Sequence, residues 1–318
     1  MHDLIIVGGG AAGLAAAAYA LDKQIDVMVV YENLGGKINQ KFTMHADTDF
    51  LVGHILVHLD VPGAEPEAPP RLGADTVHEF ERQVTTQRGR ALFDRVRKVA
   101  KQGDVFTVET ERSGALQART VIIASGVVPK QLDVPGAREL VNHGLGYSPV
   151  SYARALAGKT AVVVGSTPRA LRGAAELART AAQVYLVEPT IMPADDPLAV
   201  VLSRRPNVEI LEGFHVIEIS GDSSVDSVTV ERDGKVRRLT VDAAFADVGL
   251  APNSSMVKDL VKTDAEGFIV VDGHNATSVP GLFAAGDVTT VYGEHTLIAI
   301  GEGARAALSA HDYLLAHE

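Results

Sequence analysis

A chain of 318 residues is long enough for two domains with proper cores, and its 46% hydrophobic residues, 30 glycines and 5% aromatics are those of an ordinary α/β protein. The formal net charge of −11 argues against general affinity for nucleic acid or anionic membrane, and no apolar run approaches the about 18 residues of a membrane-spanning helix. With no cysteine in the chain, disulfides, thiolate metal sites and a cysteine nucleophile are all excluded.

The first apolar run starts at Leu4 with no basic leader before it, the pattern expected of a cytoplasmic protein. "LIIVGGG" reads as a buried strand that meets glycines and then an Ala-rich helix to about Leu21. "IDVMVVYE" (Ile25 to Glu32) is a second buried strand ending in a carboxylate. Continuous apolar runs of this kind indicate parallel strands covered on both faces. The stretch from Gly35 to Arg71 has no clear period, and the Pro- and Glu-rich "VPGAEPEAPP" within it reads as a surface loop. An amphipathic helix is expected near Ala74 to Gln87. "RALFDRVRKVAKQ", "VFTVETE", a Ser113-Gly114 turn and "QARTVIIASG" then read as a β-meander.

The middle of the chain repeats the opening. A strand from Ala161 to Val164, a helix from Pro168 to Thr180 and a strand from Gln183 to Glu188 form a second strand–turn–helix–strand unit. Gly8 to Glu32 and Gly165 to Glu188 have nearly equal lengths, which supports a duplicated unit, the second copy inserted in the first. Two hairpin-like segments follow, "VEILEGFHVIEIS" and "DSVTVERDGKVRRLTV", the latter turning at Asp233-Gly234. "GFIVVDG", "GLFAAGD" and a last helix from Gly303 to Ala316, with its start near Gly301, close the chain. The expected fold is α/β: two nested Rossmann-like dinucleotide-binding domains, each three-layered on a parallel central sheet, with a small β-meander.

Gly8, Gly10 and Gly13 have the spacing of a dinucleotide loop. The first permits a tight turn, the second lets the backbone approach a pyrophosphate, and the third lets helix pack on strand. The helix N-terminus supplies free N–H groups to the phosphates. Glu32 stands where a ribose-binding acid is needed. The alternative is a glycine-rich turn with no ligand. In the second copy, "GSTPRA" keeps Gly165 and Ala170 but puts Thr167 at the second glycine position, where a Cβ crowds a pyrophosphate. Pro168 suits the first helical position. Arg169 and Arg172 either compensate by charge or are ordinary exposed helix residues. Glu188 repels a 2′-phosphate, so NADH is favoured over NADPH. This second loop is either a working, altered NADH site or a vestige. Asp287, in "GLFAAGDV", is a ligand-facing acid or a helix N-cap. The scattered histidines, among them His45, His54, His58 and His78, show no metal-ligand spacing. The basic run from Gly89 to Gln102 docks an acidic partner or is a solvated strand edge.

The motifs "GGGAAG", "LGGK", "VIIASG", "LDVPG", "VVVGSTPRA", "FAAGDV" and "GEGARAALSAHDYL" span nearly the whole chain. In them the chain resembles the low-molecular-weight thioredoxin reductase family of FAD-dependent pyridine-nucleotide oxidoreductases, the last motif being closest to the reductase subunit of alkyl hydroperoxide reductase. The resemblance implies FAD in an outer domain, residues 1–128 and 244–318, and a nicotinamide cofactor in an inner one, residues 129–243. It implies that Gly8, Gly10, Ala12, Gly13 and Glu32 contact the ADP half of FAD. Gly36, Lys37, Ser125, Gly126, Asp287, His295 and Thr296 would line the ribityl and flavin half, with Lys37 replacing the usual Gln. Gly165, Thr167, Arg169, Ala170 and Glu188 occupy the corresponding NADH positions. The resemblance also implies a homodimer and rotation of the inner domain during turnover.

The family's Cys-x-x-Cys pair is missing. Its stretch reads "YSPVSY", and neither Ser148 nor Ser151 can cycle through a disulfide. Electrons arriving from NADH must then leave the flavin for a non-disulfide acceptor, such as a flavodoxin- or ferredoxin-like carrier, a quinone or dioxygen. A flavin-binding protein with a vestigial second site, carrier-fed or acting as a redox sensor, is the competing class.

Overall fold

The apolar runs at both starts of the pattern become central strands of two separate sheets, the first mixed and the second parallel. The computed structural model describes residues 1–39, 41–44, 48–51, 55–56, 71–72, 74–86, 90–190 and 195–317. His45, His54, His58 and the proline-rich stretch 61–70 lie outside them. The chain divides into two units, one of residues 1–39, 53–128 and 251–318, the other of residues 40–52 and 129–250.

In the first unit, strand β1 (His2–Val7) leads into helix α1 (Ala11–Asp22), which returns to strand β2 (Val27–Tyr31). These strands pair in parallel, and the sheet order runs 91–93, β2, β1, 115–123, 105–110, 96–102, with strand 282–284 also pairing in parallel on 115–123. The expected meander is real but shorter. Strands 96–102, 105–110 and 115–123 form it, while 91–93 pairs with β2 at the opposite edge. Leu4, Ile6 and Val27 on one face pack with the alanines of α1, and helix α2 (Ala74–Thr86) contributes Val77 and Val84 to the same core. Buried Asp94 ties the sheet's edge together by accepting from the N–H groups of Arg95, Arg112 and Ser113.

In the second unit, a five-stranded parallel sheet has the order 145–146, 243–246, 160–164, 183–188, 208–212. Helices α3 (Pro149–Tyr152), α4 (Pro168–Leu177) and α5 (Pro197–Ser203) belong to this unit, α4 ending a turn short of the expected Thr180. "VEILE" is a parallel strand of this sheet and no hairpin arm. Strands 215–220, 227–232 and 235–240 form a separate antiparallel sheet, with the expected turn at Asp233 and Gly234, both at positive φ. Two facts shape the unit's limits. Strand 243–246 is paired on both sides in its sheet, so a boundary at 243/244 falls inside a strand. Residues 40–52 also belong here, because buried Phe42 stacks on Tyr152 with ring centroids 4.3 Å apart and on Phe245 at 5.9 Å. Strands Val127–Pro129 and Leu250–Pro252 pair with each other.

The last helix, α6, runs Thr296–Ala316 and so begins two turns before the expected start. Gly301 and Gly303 read as a helix boundary but lie inside it. A Cβ on Gly303 would collide with the carbonyl oxygen of Ala12, so this glycine lets α6 lie against α1. "GFIVVDG" forms no strand and makes only isolated bridges.

Candidate functional site

In the first unit the turn after β1 is built from glycines that cannot be replaced. Gly8 has φ +118, its N–H donates to Val30 at 2.8 Å, and a Cβ there would collide with the carbonyl of Ala124. A Cβ on Gly13 would strike the carbonyl of Gly8. Gly10 differs: it caps α1 in extended conformation, and nothing lies within 4 Å of where its Cβ would point. The turn thus leaves open space at the end of α1 whose first N–H groups no side chain caps. Such a cradle fits a pyrophosphate, since a Cβ at Gly10 would fill it and the helix end offers donors and positive dipole. Ala12 is buried against Gly286 and Gly303.

Glu32 follows β2 directly, with its side chain about half exposed, and pairs with Arg95 at 3.0 Å. Gly36 opens a short 3-10 turn, Gly36–Asn39, at φ +60, and brings the next side chain toward a second loop. There Lys37 Nζ meets Asp287 Oδ2 at 2.8 Å. Asp287 caps no helix: it sits in a turn after strand 282–284, and α6 is preceded instead by His295, whose side chain makes no cap bond. His295 is exposed and Thr296 half-buried. The Ser125 hydroxyl donates to the Asn253 carbonyl at 2.5 Å while Asn253 Nδ2 donates back to the Ser125 carbonyl at 2.9 Å. Gly126, at φ +67, accepts from the Asn253 N–H. Ser125 therefore spends its hydroxyl proton inside the fold. Nothing in the sequence singles out Asn253.

The second loop keeps the turn and changes the donors. Gly165 has φ +147, and a Cβ there would collide with the Asp247 carbonyl. Thr167 caps α4: its Oγ1 accepts from the Ala170 N–H at 3.0 Å and lies 3.4 Å from Asp247 Oδ1. Pro168 occupies the helix start as expected and carries no N–H. Ala170 is fully buried. Arg169 is neither exposed nor free to swing. Its Nε is 3.4 Å from Asp247 Oδ2, and a terminal nitrogen donates to the Tyr147 carbonyl at 2.5 Å. Asp247, 1% exposed, escapes sequence reasoning because one acid after a strand carries no spacing signal. A dinucleotide here would meet fewer backbone donors than in the first loop and a guanidinium held in place.

Glu188 ends its strand as expected, yet it is 2% exposed. A carboxylate so enclosed offers a ribose little surface, which the sequence position alone does not reveal. Ser148 caps the start of α3 and Ser151 lies within it, their hydroxyls 3.0 Å apart. In the basic run, Arg97 pairs with Glu111 at 2.7 Å and Lys101 donates to the Pro280 carbonyl at 2.7 Å. Strand 96–102 is the edge of its sheet, so the solvated-edge alternative accounts for these cations. His78 is exposed and 3.1 Å from Asn39 Oδ1. Among the described residues no group of His, Cys, Asp and Glu is arranged to hold a metal, and no helix is long and apolar enough to cross a membrane.

Residues 2–303 match the family model described as pyridine nucleotide-disulphide oxidoreductase. The chain is 34% identical to an NADH dehydrogenase of Bacillus subtilis and 33% identical to an alkyl hydroperoxide reductase subunit of Pseudomonas putida, each over 98% of this chain. It spans 58% of the length of each of these two relatives. Among solved structures, thioredoxin reductase from Streptococcus pyogenes superposes with a TM-score of 0.80 at 28% identity, covering 99% of both chains.

Proposed function

The chain belongs to the pyridine nucleotide-disulphide oxidoreductase family, and from that premise we propose that it is an FAD-dependent oxidoreductase fed by NADH and emptied by a non-disulfide acceptor. The observation that carries the reading is the first loop: Gly8 and Gly13 admit no side chain, and the space before Gly10 is left open at a bare helix end. Gly8, Gly10, Gly13 and Glu32 would hold the ADP half of FAD. Gly36, Lys37, Gly126, Asp287, His295 and Thr296 would line the rest, with Ala12 and Ser125 supporting the backbone around them. When bound, FAD supplies the two-electron chemistry that lets a hydride donor and a one- or two-electron acceptor share one centre. No side chain is required as acid or base for that exchange.

NADH is proposed for the second unit, held at Gly165, Thr167, Ala170 and the fixed guanidinium of Arg169. The name of the Bacillus subtilis relative supports NADH as donor, and the carboxylate of Glu188 disfavours the extra phosphate of NADPH. The acceptor in this reading is a flavodoxin- or ferredoxin-like carrier, a quinone or dioxygen, because the chain has no cysteine to pass electrons to a disulfide. A homodimer in the cytoplasm completes it.

One observation favours a second reading. The Thr167 hydroxyl already satisfies the Ala170 N–H, and Arg169 is already engaged by Asp247 and Tyr147. A loop so occupied suits a vestigial nucleotide site in a carrier-fed flavoprotein or redox sensor. Anaerobic mixing of the FAD-loaded protein with NADH, and separately with NADPH, distinguishes the two. Bleaching of the flavin absorbance, faster with NADH, is expected. Inertness to both, with full reduction by dithionite, selects the vestigial site, and a protein that takes up no FAD refutes both.

A further inference from the structure

Beneath the turn that carries Asp287 lies an acid with no part in the reading above. Glu302, on α6, is 1% exposed. Its Oε2 accepts the Gly286 N–H at 2.6 Å and lies 3.5 Å from the Thr289 hydroxyl. Its Oε1 has no hydrogen-bond partner among the described residues. Two charged groups act on it, Arg305 and Asp287, and Lys37 is tied to the second of them. Asp287 is on the turn that Glu302 supports, and Arg305 is the nearest cation on α6, with its Nε donating to Asn275 Oδ1 at 2.7 Å. Lys37 faces the turn from the other side and is held by Asp287 at 2.8 Å. Among the described residues, the ionisable groups of the other elements most packed on α6 lie away from Glu302. On α1 the ionisable Tyr19 and Asp22 lie toward its far end, beyond the crossing of Gly303 with Ala12. Arg119, on strand 115–123, reaches the opposite end of α6, at the carbonyls of Leu314 and His317.

An ionised Glu302 would be a buried charge with one bare oxygen; Arg305 favours that charge and Asp287 opposes it, and the burial is what makes it costlier than a neutral acid in the same place. As a neutral acid it still accepts the Gly286 N–H through Oε2, with the proton on Oε1. We propose that Glu302 is a positioning residue that works uncharged: it holds the Gly286–Thr289 turn from below and leaves Lys37 as the counter-ion of Asp287, so that its proton governs how Asp287 is presented to FAD. The inference rests on the reading of the first unit as the FAD-binding one. Burial pushes the Glu302 carboxyl up, in the direction this role needs. Because the folded group holds its proton more tightly than the unfolded chain does, its stabilising contribution is present at low pH and is lost as pH rises through the folded value.

Infrared spectra of apoprotein and FAD-loaded protein at neutral pH test the protonation directly. A protonated-carboxyl stretch is expected in the wild type and is expected to be missing from Glu302→Gln; its absence from the wild type overturns the proposal. FAD affinity followed by flavin fluorescence tests the coupling. Wild-type binding should weaken by about tenfold, one pKa unit of linkage, as the band disappears with rising pH. Glu302→Gln, a neutral isostere, should bind as the wild type does at neutral pH and show no such weakening, whereas Glu302→Ala should bind weakly throughout. A Gln variant as weak as Ala, or one that keeps the wild-type pH profile, overturns the role. Should the variants not fold, the wild type alone decides, since affinity that stays flat while the band is lost also overturns it. A protein that takes up no FAD in any form instead defeats the functional reading, and the infrared band of the apoprotein still reports on Glu302.

Discussion

A single methyl group separates two glycines of the first loop. At Gly13 it would collide with the Gly8 carbonyl, and at Gly10 it would enter empty space. Gly13→Ala should therefore lose about 2 kcal/mol or more of stability and its FAD together. Gly10→Ala should keep the melting temperature of the apoprotein and bind FAD more weakly. Thermal melts of the apoproteins beside FAD titrations separate the outcomes, and equal melting temperatures for the two variants would refute the packing argument. In the second loop, Thr167→Gly removes the helix cap and frees the Ala170 N–H. A stability loss below about 1 kcal/mol is expected, as for other caps replaced by glycine. Flavin reduction by NADH should become faster if the cap limits pyrophosphate approach. An unchanged rate in a folded variant moves the cause away from this loop.

At the scale of elements, α6 holds two glycines with opposite meanings. Gly301 is exposed and has open space beside it, whereas Gly303 lies against the backbone of α1. Gly301→Ala should raise stability by about 1 kcal/mol through helix propensity alone. Gly303→Ala gains the same propensity and should nevertheless lower the melting temperature, because α6 must move off α1. The opposite order would show that α6 does not pack as described. The sheet edge offers a pH-dependent counterpart. Burial opposes the charge of Asp94, but its hydrogen bonds from Ser113, Arg95 and Thr110 outweigh that and hold its carboxyl well below the ordinary range. A depressed carboxyl stabilises above its unfolded pKa of about 3.9, and the benefit fades as pH falls toward the folded value. Asp94→Asn should thus be less stable than the wild type in urea at neutral pH, with the gap narrowing only below about pH 4. A gap that is constant with pH would mean that the charge of Asp94 contributes nothing.

For the whole molecule the decisive fact is an absence legible from composition, that of cysteine. Anaerobic reductive titration of the FAD-loaded protein should end at about two electrons per flavin, since no dithiol stores a second pair. An endpoint near four electrons would reveal a further redox centre. The Ser148 and Ser151 hydroxyls lie 3.0 Å apart, and neither can store an electron pair as a disulfide does. If the proposed activity holds, steady-state oxidation of NADH with quinone, dioxygen or a small carrier protein would rank its acceptors.

The sequence by itself determined the leading parallel strands of each sheet and the first loop, but not every strand that joins them. Buried parallel strands require continuous apolar runs, and a backbone turned as at Gly8 and Gly13 requires glycine, so both leave a mark at fixed spacing. It also fixed the missing dithiol, which needs no structure. Only the tertiary structure decided the rest, because those features depend on partners distant in the chain. Phe42 belongs to the second unit through Tyr152 and Phe245, and Gly303 is a contact point because Ala12 lies opposite. Asp287 ends beside Lys37, Arg169 beside Asp247, Asn253 beside Ser125, and Glu302 beneath Gly286. A lone acid or arginine has no period and no spacing. Its chemistry is set by what folding brings within hydrogen-bonding distance.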